Sequence, residues 1–367
     1  MMRMLTTVIL FLASVIATPV ASAADRAPSR LGFLFATRDA QCGRGSLCAR
    51  EFNTTLLVID GEKMRVAVNS PHFYVPRKSG FWELGVSLPR TLAGVKPQPA
   101  PQNADDNTTP EFVWQLWAAP LGTKPALSSP EPEDATTSEQ PEESSDDSDE
   151  LKWLELKWVG TDHLSVDEQI GEYTTRHVIL RLDDVATNQD DFPWTPKVPD
   201  AVVRKDIQNC VEEKSDFNTH EFLDDADQAW SITRSRMRWE YEWTFSHSGR
   251  ALRGYEAACA TSVRPPKELV GDDTLGVGWN QVLARVPDAQ TAFAAPDRSL
   301  ILVFTSTQIL ALRRGGNSLR APFARVFLPT TDVLLGQWAV GKYVDEWASQ
   351  LSQAKSWTDT DQPPNKR

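Results

Sequence analysis

The sequence predicts a mainly β protein with a few helices. Aromatic and apolar side chains alternate with Arg and Glu over residues 237–245, which is the period of a strand with one buried face. Residues 176–182 alternate in the same way, and Asp60-Gly61 joins two strand-like runs as a hairpin turn. The strands are expected to form either an irregular propeller-like array or two packed antiparallel sheet domains, and the chain is expected to end in an amphipathic helix.

A β-meander is expected in the N-terminal region, residues 24–119. Its strand-like runs are short, rich in apolar and β-branched residues, and separated by Gly, Pro, Asn and Asp. These runs lie at 31–37, 54–60, 63–68, 72–76, 81–88 and 112–118.

An acidic segment, residues 120–150, separates this region from the rest of the chain. Between Glu131 and Glu150 it carries ten acidic residues and no basic one, together with Pro, Ser and Thr. Such a composition cannot bury enough apolar surface to offset the entropy lost on ordering. The segment is therefore predicted to be a disordered insert, either a linker between two domains or a long loop within one scaffold.

The C-terminal region, residues 151–352, is predicted to be a β-rich domain with helices, followed by a disordered tail at 353–367. Strands are expected at 151–159, 163–166, 176–182, 236–245, 251–263, 299–305, 308–313 and 320–328. Helices are expected at 200–213, 219–230, 272–286 and 335–351.

The N-terminus has the pattern of a cleavable secretory signal peptide over residues 1–23. Arg3 precedes an apolar run at 5–17, and Ala21-Ser22-Ala23 supplies the small residues that a signal peptidase reads. A spanning helix needs about 20 apolar residues, which is longer than this run before Pro19. Cleavage is expected after Ala23, which would place a soluble mature protein in a periplasm or outside the cell.

Charge is distributed unevenly along the chain. The formal net charge is −12, and leaving out the ten acidic residues of 131–150 gives −12 + 10 = −2. The remainder is nearly neutral and lacks the basic surface that nucleic-acid binding requires, so no nucleic-acid partner is expected.

Four cysteines in an oxidising compartment can form two disulfides. Cys42 and Cys48 flank a short loop with two glycines, which lets the backbone turn sharply. The preferred pairing is therefore Cys42 with Cys48 and Cys210 with Cys259, with buried free thiols as the alternative.

The chain carries no standard signature of a hydrolase, a nucleotide-binding protein or a redox enzyme, so no catalytic or cofactor-binding residue is assigned and no cofactor is expected. The nearest pattern to a metal site is His220 with Asp224, which would share one helix face and need a third ligand. The alternative is an acidic first turn that complements the helix dipole.

The aromatic strand gives a second candidate ligand site. Trp239, Tyr241 and Trp243 share one strand face and would offer flat rings to a sugar, or they would face the core. Near Arg77 and Lys78, Phe81 and Trp82 would receive an anionic glycan or lipid headgroup, or would flank an ordinary basic turn.

Two functional hypotheses follow. The first is an exported, non-catalytic envelope or secreted protein that binds an unknown macromolecule or a glycan, or that has a structural role. The second is an extracytoplasmic hydrolase that uses carboxylates, or a metal near His220 and Asp224. The enzyme hypothesis requires several polar groups to meet in one site, whereas the binding hypothesis requires exposed aromatic surface.

Overall fold

The computed structural model describes residues 30–38, 52–87, 115–125, 151–170, 174–187, 201–202, 205–206, 208–210, 229–246, 256–271, 274–330 and 332–356. Within these ranges the protein is mainly β, as predicted, and its strands form five antiparallel sheets. We name the sheets A to E in the order in which the chain enters them.

Each sheet is a meander of strands that follow one another in sequence, and sheet A also receives the last strand. Sheets A and B comprise β1 (Leu31–Arg38), β2 (Phe52–Asp60), β3 (Lys63–Ser70), β4 (Phe73–Arg77), β5 (Gly80–Ser87) and β6 (Gln115–Pro120). Sheets C and D comprise β7 (Leu151–Val159), β8 (His163–Ile170), β9 (Thr174–Arg181), β10 (Ala229–Arg234), β11 (Trp239–Ser246) and β12 (Glu256–Ala260). Sheet E comprises β13 (Thr291–Ala294), β14 (Leu300–Phe304), β15 (Gln308–Gly315) and β16 (Ser318–Phe327), and β17 (Val333–Val340) returns to sheet A.

The helices are short and lie between or after the sheets. They are α1 (Leu182–Thr187), α2 (Lys267–Val270), α3 (Trp279–Leu283) and α4 (Lys342–Ser352). Residues 201–202, 205–206 and 208–210 are also helical, within the range 200–213 predicted for a helix.

Sheet A joins the two ends of the chain. Its strand order is β17-β1-β2-β3, so β1 pairs with β2 on one side and with β17 on the other. Nearly every residue of β1 is buried, because both of its edges are paired and both of its faces are covered. The regions before and after the acidic segment therefore share one sheet.

Neighbouring sheets pack face to face. Sheet A meets sheet B through the rings of Phe52 and Phe73, whose centroids lie 5.4 Å apart. Sheet C meets sheet D through Trp158 and Trp239, at 6.1 Å. One edge of β10 pairs with no described strand, and there the backbone N–H of Ile232 donates to Ser165 Oγ at 3.0 Å.

Sheet E lies between sheet D and sheet A. Arg234 at the end of β10 donates to the carbonyl oxygen of Ala292 at 2.5 Å, and its guanidinium lies over the ring of Phe293 at 3.8 Å. On the other side, Phe33 of β1 contacts Phe293 with a centroid distance of 5.0 Å. Together with the contacts between sheets B and C described below, each sheet packs on the next and the last returns to the first. This arrangement corresponds to the propeller-like alternative of the predicted architecture.

Two large apolar clusters fill the spaces between the sheets. One cluster takes residues from sheets A, C, D and E, and the other from sheets A, B and C and from α4. Leu34 and Leu56 face the second cluster, while their neighbours Phe33 and Leu57 face the first. Alternate side chains of the same strands thus bury both faces of sheet A.

Cys210 and Cys259 form a disulfide, as predicted. The bond ties the helical residues near 210 to β12 of sheet D, across a sequence separation of 49. Cys42 and Cys48 lie outside the described residues.

Three predicted elements differ from the structure. The helix expected at 335–351 begins only at Lys342, because residues 333–340 pair with the open edge of β1 and Gly341 (φ 63°) then turns the chain. Within the range 272–286, where a helix was expected, α3 begins only at Trp279, because the backbone of the preceding Gly278 is extended. The helix expected at 219–230 does not include its last two residues, because β10 begins at Ala229 and pairs with β11; residues 219–228 lie outside the described ranges.

The C-terminal residues 353–356, predicted to begin a disordered tail, pack against sheet B. Ser356 is buried and its hydroxyl donates to the carboxylate of Glu83 on β5. None of the helices in the described ranges combines the length and the apolar character needed to cross a bilayer.

We predict that reducing the Cys210–Cys259 disulfide lowers the free energy of unfolding by about 2–4 kcal/mol, because the unfolded chain then gains the freedom of a long loop. Denaturant unfolding with and without a thiol reductant measures the change. A Cys42→Ser/Cys48→Ser variant should still respond to the reductant, whereas adding Cys210→Ser and Cys259→Ala to that variant should abolish the response. An unchanged unfolding midpoint on reduction of the wild type would contradict the prediction.

Candidate functional site

Four ionisable side chains meet on one face of sheet C, and we call them the sheet C cluster: Glu155, Lys157, Asp167 and His177. Glu155 on β7 lies opposite Asp167 on β8, which lies opposite His177 on β9. Residues that are opposite one another in an antiparallel sheet project to the same side, with Cβ atoms about 5 Å apart. Asp167 and His177 are each only 5% exposed.

Asp167 is shared by two cationic or potentially cationic groups. Its Oδ1 lies 2.5 Å from His177 Nδ1, and its Oδ2 lies 3.3 Å from Lys157 Nζ. The carboxylate favours the tautomer in which Nδ1–H donates to it, which makes Nε2 the acceptor nitrogen of the ring. The aspartate thus fixes the orientation of the imidazole.

Lys157 stays protonated despite its burial. Desolvation alone would lower the pKa of Lys157, but the negative charges of Asp167, Glu155 and Glu242 outweigh it and raise the pKa above its usual value. Glu242 belongs to β11, so the field that holds this charge comes from both sheet C and sheet D.

Arg38 connects the cluster to sheet A. It ends β1, donates to Glu155 and lies 2.5 Å from Asp332, which precedes β17. Burial would lower the pKa of Arg38, and the two carboxylates raise it above its usual value. The guanidinium is therefore a permanent charge that links three separated parts of the chain.

A second network links sheet B to sheet C. Arg77 lies 2.9 Å from Asp162 in the β7–β8 turn and 2.6 Å from Asp183 in α1. Its guanidinium also stacks over the ring of Trp82 at 4.4 Å. The basic turn considered as a receptor for an anionic ligand thus uses Arg77 for contacts within the protein.

The outer strand of sheet E presents cations of a different kind. The guanidinium carbon of Arg325 lies 5.7 Å from the ring centre of Phe327, which is 74% exposed, and Arg313 lies over Phe323 at 4.8 Å. Among the described residues no carboxylate pairs with Arg313, Arg320 or Arg325. Arg313 lies on the side of sheet E that packs on sheet A, where it donates to the carbonyl oxygen of Gly61 at 3.0 Å, whereas Arg325 and Phe327 lie on the opposite side. We call Arg325 and Phe327 the β16 face.

Of the ligand candidates proposed from the sequence, the structure describes the side chains of Trp239 and Tyr241. Trp239 and Tyr241 are 3% and 1% exposed and belong to the apolar cluster between sheets, which corresponds to the core alternative for this strand. The side chain of Trp243 and the residues His220 and Asp224 lie outside what the structure describes. In the described ranges no group of three or more His, Cys, Asp or Glu side chains is arranged to hold a metal ion.

Sequence reasoning missed both the sheet C cluster and the β16 face. Lys157, Asp167 and His177 are polar positions within strands, and a charged residue on the buried side of a strand is the signal that could have marked them. The exposed pair Arg325 and Phe327 has the ordinary alternation of an edge strand, so nothing in the sequence distinguishes it.

Comparison with known proteins finds no matching family model, no similar curated protein and no similar solved structure. The function has to be argued from the residues themselves.

We predict that Asp167→Asn lowers the free energy of unfolding by about 3–5 kcal/mol, the usual cost of removing one member of a buried ion pair. Urea unfolding monitored by tryptophan fluorescence measures the loss. Asp332→Asn is the matched control, since the Asp332 side chain is 66% exposed and its pair with Arg38 should contribute about 1 kcal/mol or less. Equal losses in the two variants would contradict a buried, neutralised cluster.

His163 should make the protein less stable as the pH falls below about 6.5. Burial, together with the positive charges of Arg181 and Arg77, lowers the pKa of His163 below its ordinary 6.5 although Asp162 opposes this effect. Between the two pKa values the unfolded chain binds a proton that the folded protein does not, so acidification favours unfolding. The difference in unfolding free energy between pH 7.5 and pH 5 should be smaller in His163→Gln than in the wild type, and an equal difference would refute the assignment.

Proposed function

We propose that this chain is an exported protein that acts by binding a macromolecule outside the cytoplasm, on a non-catalytic scaffold of five sheets. The observation that carries the proposal is a contrast between two sets of charges. The buried charges neutralise one another in links between sheets, whereas the β16 face keeps an exposed cation, Arg325, beside an exposed ring, without a carboxylate partner among the described residues.

Export is supported by the sequence and is compatible with the structure. Residues 1–23 have the charge, the apolar run and the small residues of a secretory signal peptide. The Cys210–Cys259 disulfide is of a kind that persists in a periplasm or outside the cell, where thiols are not kept reduced. We therefore propose a soluble mature chain that begins at Ala24.

Binding is favoured over catalysis by the way the polar groups are used. The Asp167 carboxylate faces both Lys157 and His177, and Glu155 faces Arg38, so these groups stabilise each other's charges inside the protein. A general base has to reach a substrate proton directly or through one water molecule. An exposed ring beside a guanidinium, in contrast, is available to a partner without any rearrangement.

An extracytoplasmic hydrolase is the second candidate, and one observation favours it. The 2.5 Å contact between Asp167 and His177 resembles the aspartate–imidazole pair that orients a catalytic base. The other form of this hypothesis, a metal held near His220 and Asp224, concerns residues outside the described ranges. A hydrolase that uses the Asp167–His177 pair would lose turnover in Asp167→Asn, whereas a binding protein would lose only stability.

The first test of the proposal is export. We expect the full chain, expressed in a bacterium with a Sec pathway, to accumulate outside the cytoplasm with Ala24 as its N-terminal residue. N-terminal sequencing and intact mass of the exported protein measure this, and the mass also reports the oxidised cysteines. A matched control replaces Ala21 and Ala23 with Arg, which should block cleavage. Retention of the wild-type chain in the cytoplasm with Met1 intact would contradict the proposal.

The same preparation tests binding. The exported protein should show saturable retention on at least one immobilised macromolecule from a panel of neutral polysaccharide, acidic polysaccharide, acidic polypeptide and lipid vesicles. Absence of saturable binding to every member, from a correctly processed and folded protein, would remove the binding proposal and leave a structural role.

A further inference from the structure

Sheet A depends on two strands that are far apart in the sequence. β1 pairs with β2 along one edge and with β17 along the other. All other strand pairs of the described sheets join strands that follow one another in the chain. Among the described sheets, sheet A is therefore the one that cannot be completed until residues 333–340 have been synthesised.

The segment that completes sheet A also supplies side chains to both large apolar clusters. We call residues 333–356 the closing segment; it comprises β17, α4 and the residues that follow α4. Val333 lies in the cluster of sheets A, C, D and E, whereas Leu334, Leu335 and Leu351 lie in the cluster of sheets A, B and C. Until the closing segment has docked, both clusters lack part of their apolar surface and the stabilisation that its burial provides.

Synthesis separates the two partner strands in time. The pair Thr37 and Val333 spans 333 − 37 = 296 residues. Because a ribosome adds about 5–20 residues per second, β17 follows β1 after roughly 15–60 s. Contacts between residues so distant in sequence also fold slowly, since the entropy of a long loop is lost before the contacts form.

This delay matters for a protein that is exported. A Sec-type translocon passes an extended chain, so a precursor that folds first has to be unfolded again before it can cross. The predicted signal peptide ends at Ala23, and β1 begins eight residues later at Leu31. The strand nearest to the signal peptide is thus the one whose sheet is completed last.

We propose that the pairing of β1 with β17 delays folding until the closing segment has been synthesised, and thereby keeps the precursor unfolded for export. This inference rests on the export part of the proposed function and adds how the fold serves it. It follows from the strand order of sheet A and from the place of the closing segment in both apolar clusters.

The test is a circular permutant of the full chain, in the order 1–29, 332–367, a short Gly/Ser linker and 30–331. The new order places β17 and α4 ahead of β1. Sheets A, B and C with their apolar cluster then require no residue beyond α1, so they become complete before sheets D and E are synthesised. Asp345 on α4 contacts Arg30 at 2.8 Å, and residues 357–367 extend over up to about 36 Å, so the new connection is long enough.

Two measurements compare the permutant with the wild type. Without residues 1–23, the purified permutant should refold from urea about tenfold faster, because β17 and β1 are then close in sequence. With residues 1–23, its export in a bacterial pulse-chase should be about threefold slower or more, with protease-resistant precursor in the cytoplasm. A permutant that refolds faster and is exported at the wild-type rate would overturn the inference.

Val344→Ala and Tyr343→Ser provide the matched pair of variants on α4. Val344 is 0% exposed and packs with Val58 and Ala339, whereas Tyr343 is 53% exposed. Val344→Ala weakens docking of the closing segment, so it should bring export of the permutant back towards the wild-type rate. Tyr343→Ser should leave export of the permutant slow, and equal effects of the two substitutions would contradict the proposed cause.

A measurement on the natural mature chain keeps the inference testable if the permutant does not fold. In pulse-labelled hydrogen exchange during refolding, the amides of sheets B and C should become protected no earlier than those of β17. Earlier protection of sheets B and C would show that folding does not wait for the closing segment. If the wild-type chain is not exported, the proposed function fails; if it is exported and either of these contrary results is found, this inference alone fails.

Discussion

The pairing of β1 with β17 is the constraint on which the rest of the architecture depends. It brings residues 31–38 and 333–340 into one sheet, so the ring of sheets closes through backbone hydrogen bonds rather than through side-chain packing alone. Without this pairing, β1 would be the edge strand of sheet A. Its unpaired backbone groups would then be costly, because β1 is buried. Sheets A and E, which contact each other through Phe33 and Phe293, are held in place because β17 follows sheet E directly and must return to β1.

Charged side chains join sheets where apolar packing alone does not specify the contact. Arg38 links the end of β1 to Glu155 on β7, and Arg77 links the end of β4 to the β7–β8 turn. A buried ion pair adds little net stability, because the Coulomb attraction has to offset the loss of hydration. A wrong alignment of the two sheets, however, would leave a buried charge without its counter-charge. The networks therefore favour one relative position of sheets A, B and C over the alternatives that two apolar faces would permit.

The sequence predicts local elements well and long-range relations poorly. Residues 151–159 form β7 with the predicted bounds, because a short apolar run that ends at a glycine-containing turn is a local signal for a strand. Residues 335–340 were predicted as helix because Val340, Val344, Trp347 and Leu351 have helical spacing, but the open edge of β1, more than 290 residues earlier in the chain, makes them a strand. The sheet C cluster also depends on strand pairing. Asp167 meets Lys157 and His177 only because β8 pairs with β7 on one side and with β9 on the other. Propensity and periodicity do not contain that information.

Net charge would have excluded an anionic partner for this protein, and the structure shows why that argument is too coarse. The total of −12 is dominated by residues 131–150, while Arg325 lies on a surface of sheet E where no described carboxylate pairs with it. Fields between exposed charges decay over about 8 Å at physiological ionic strength, so the potential at β16 is set by Arg325 and its neighbours and hardly by the distant charge of the chain. Recognition depends on the local side chains. An exposed aromatic ring at the edge of a sheet also favours unwanted association with other proteins. The pair Arg325 and Phe327 is therefore a feature of this fold that packing and ion pairing within the described residues do not explain.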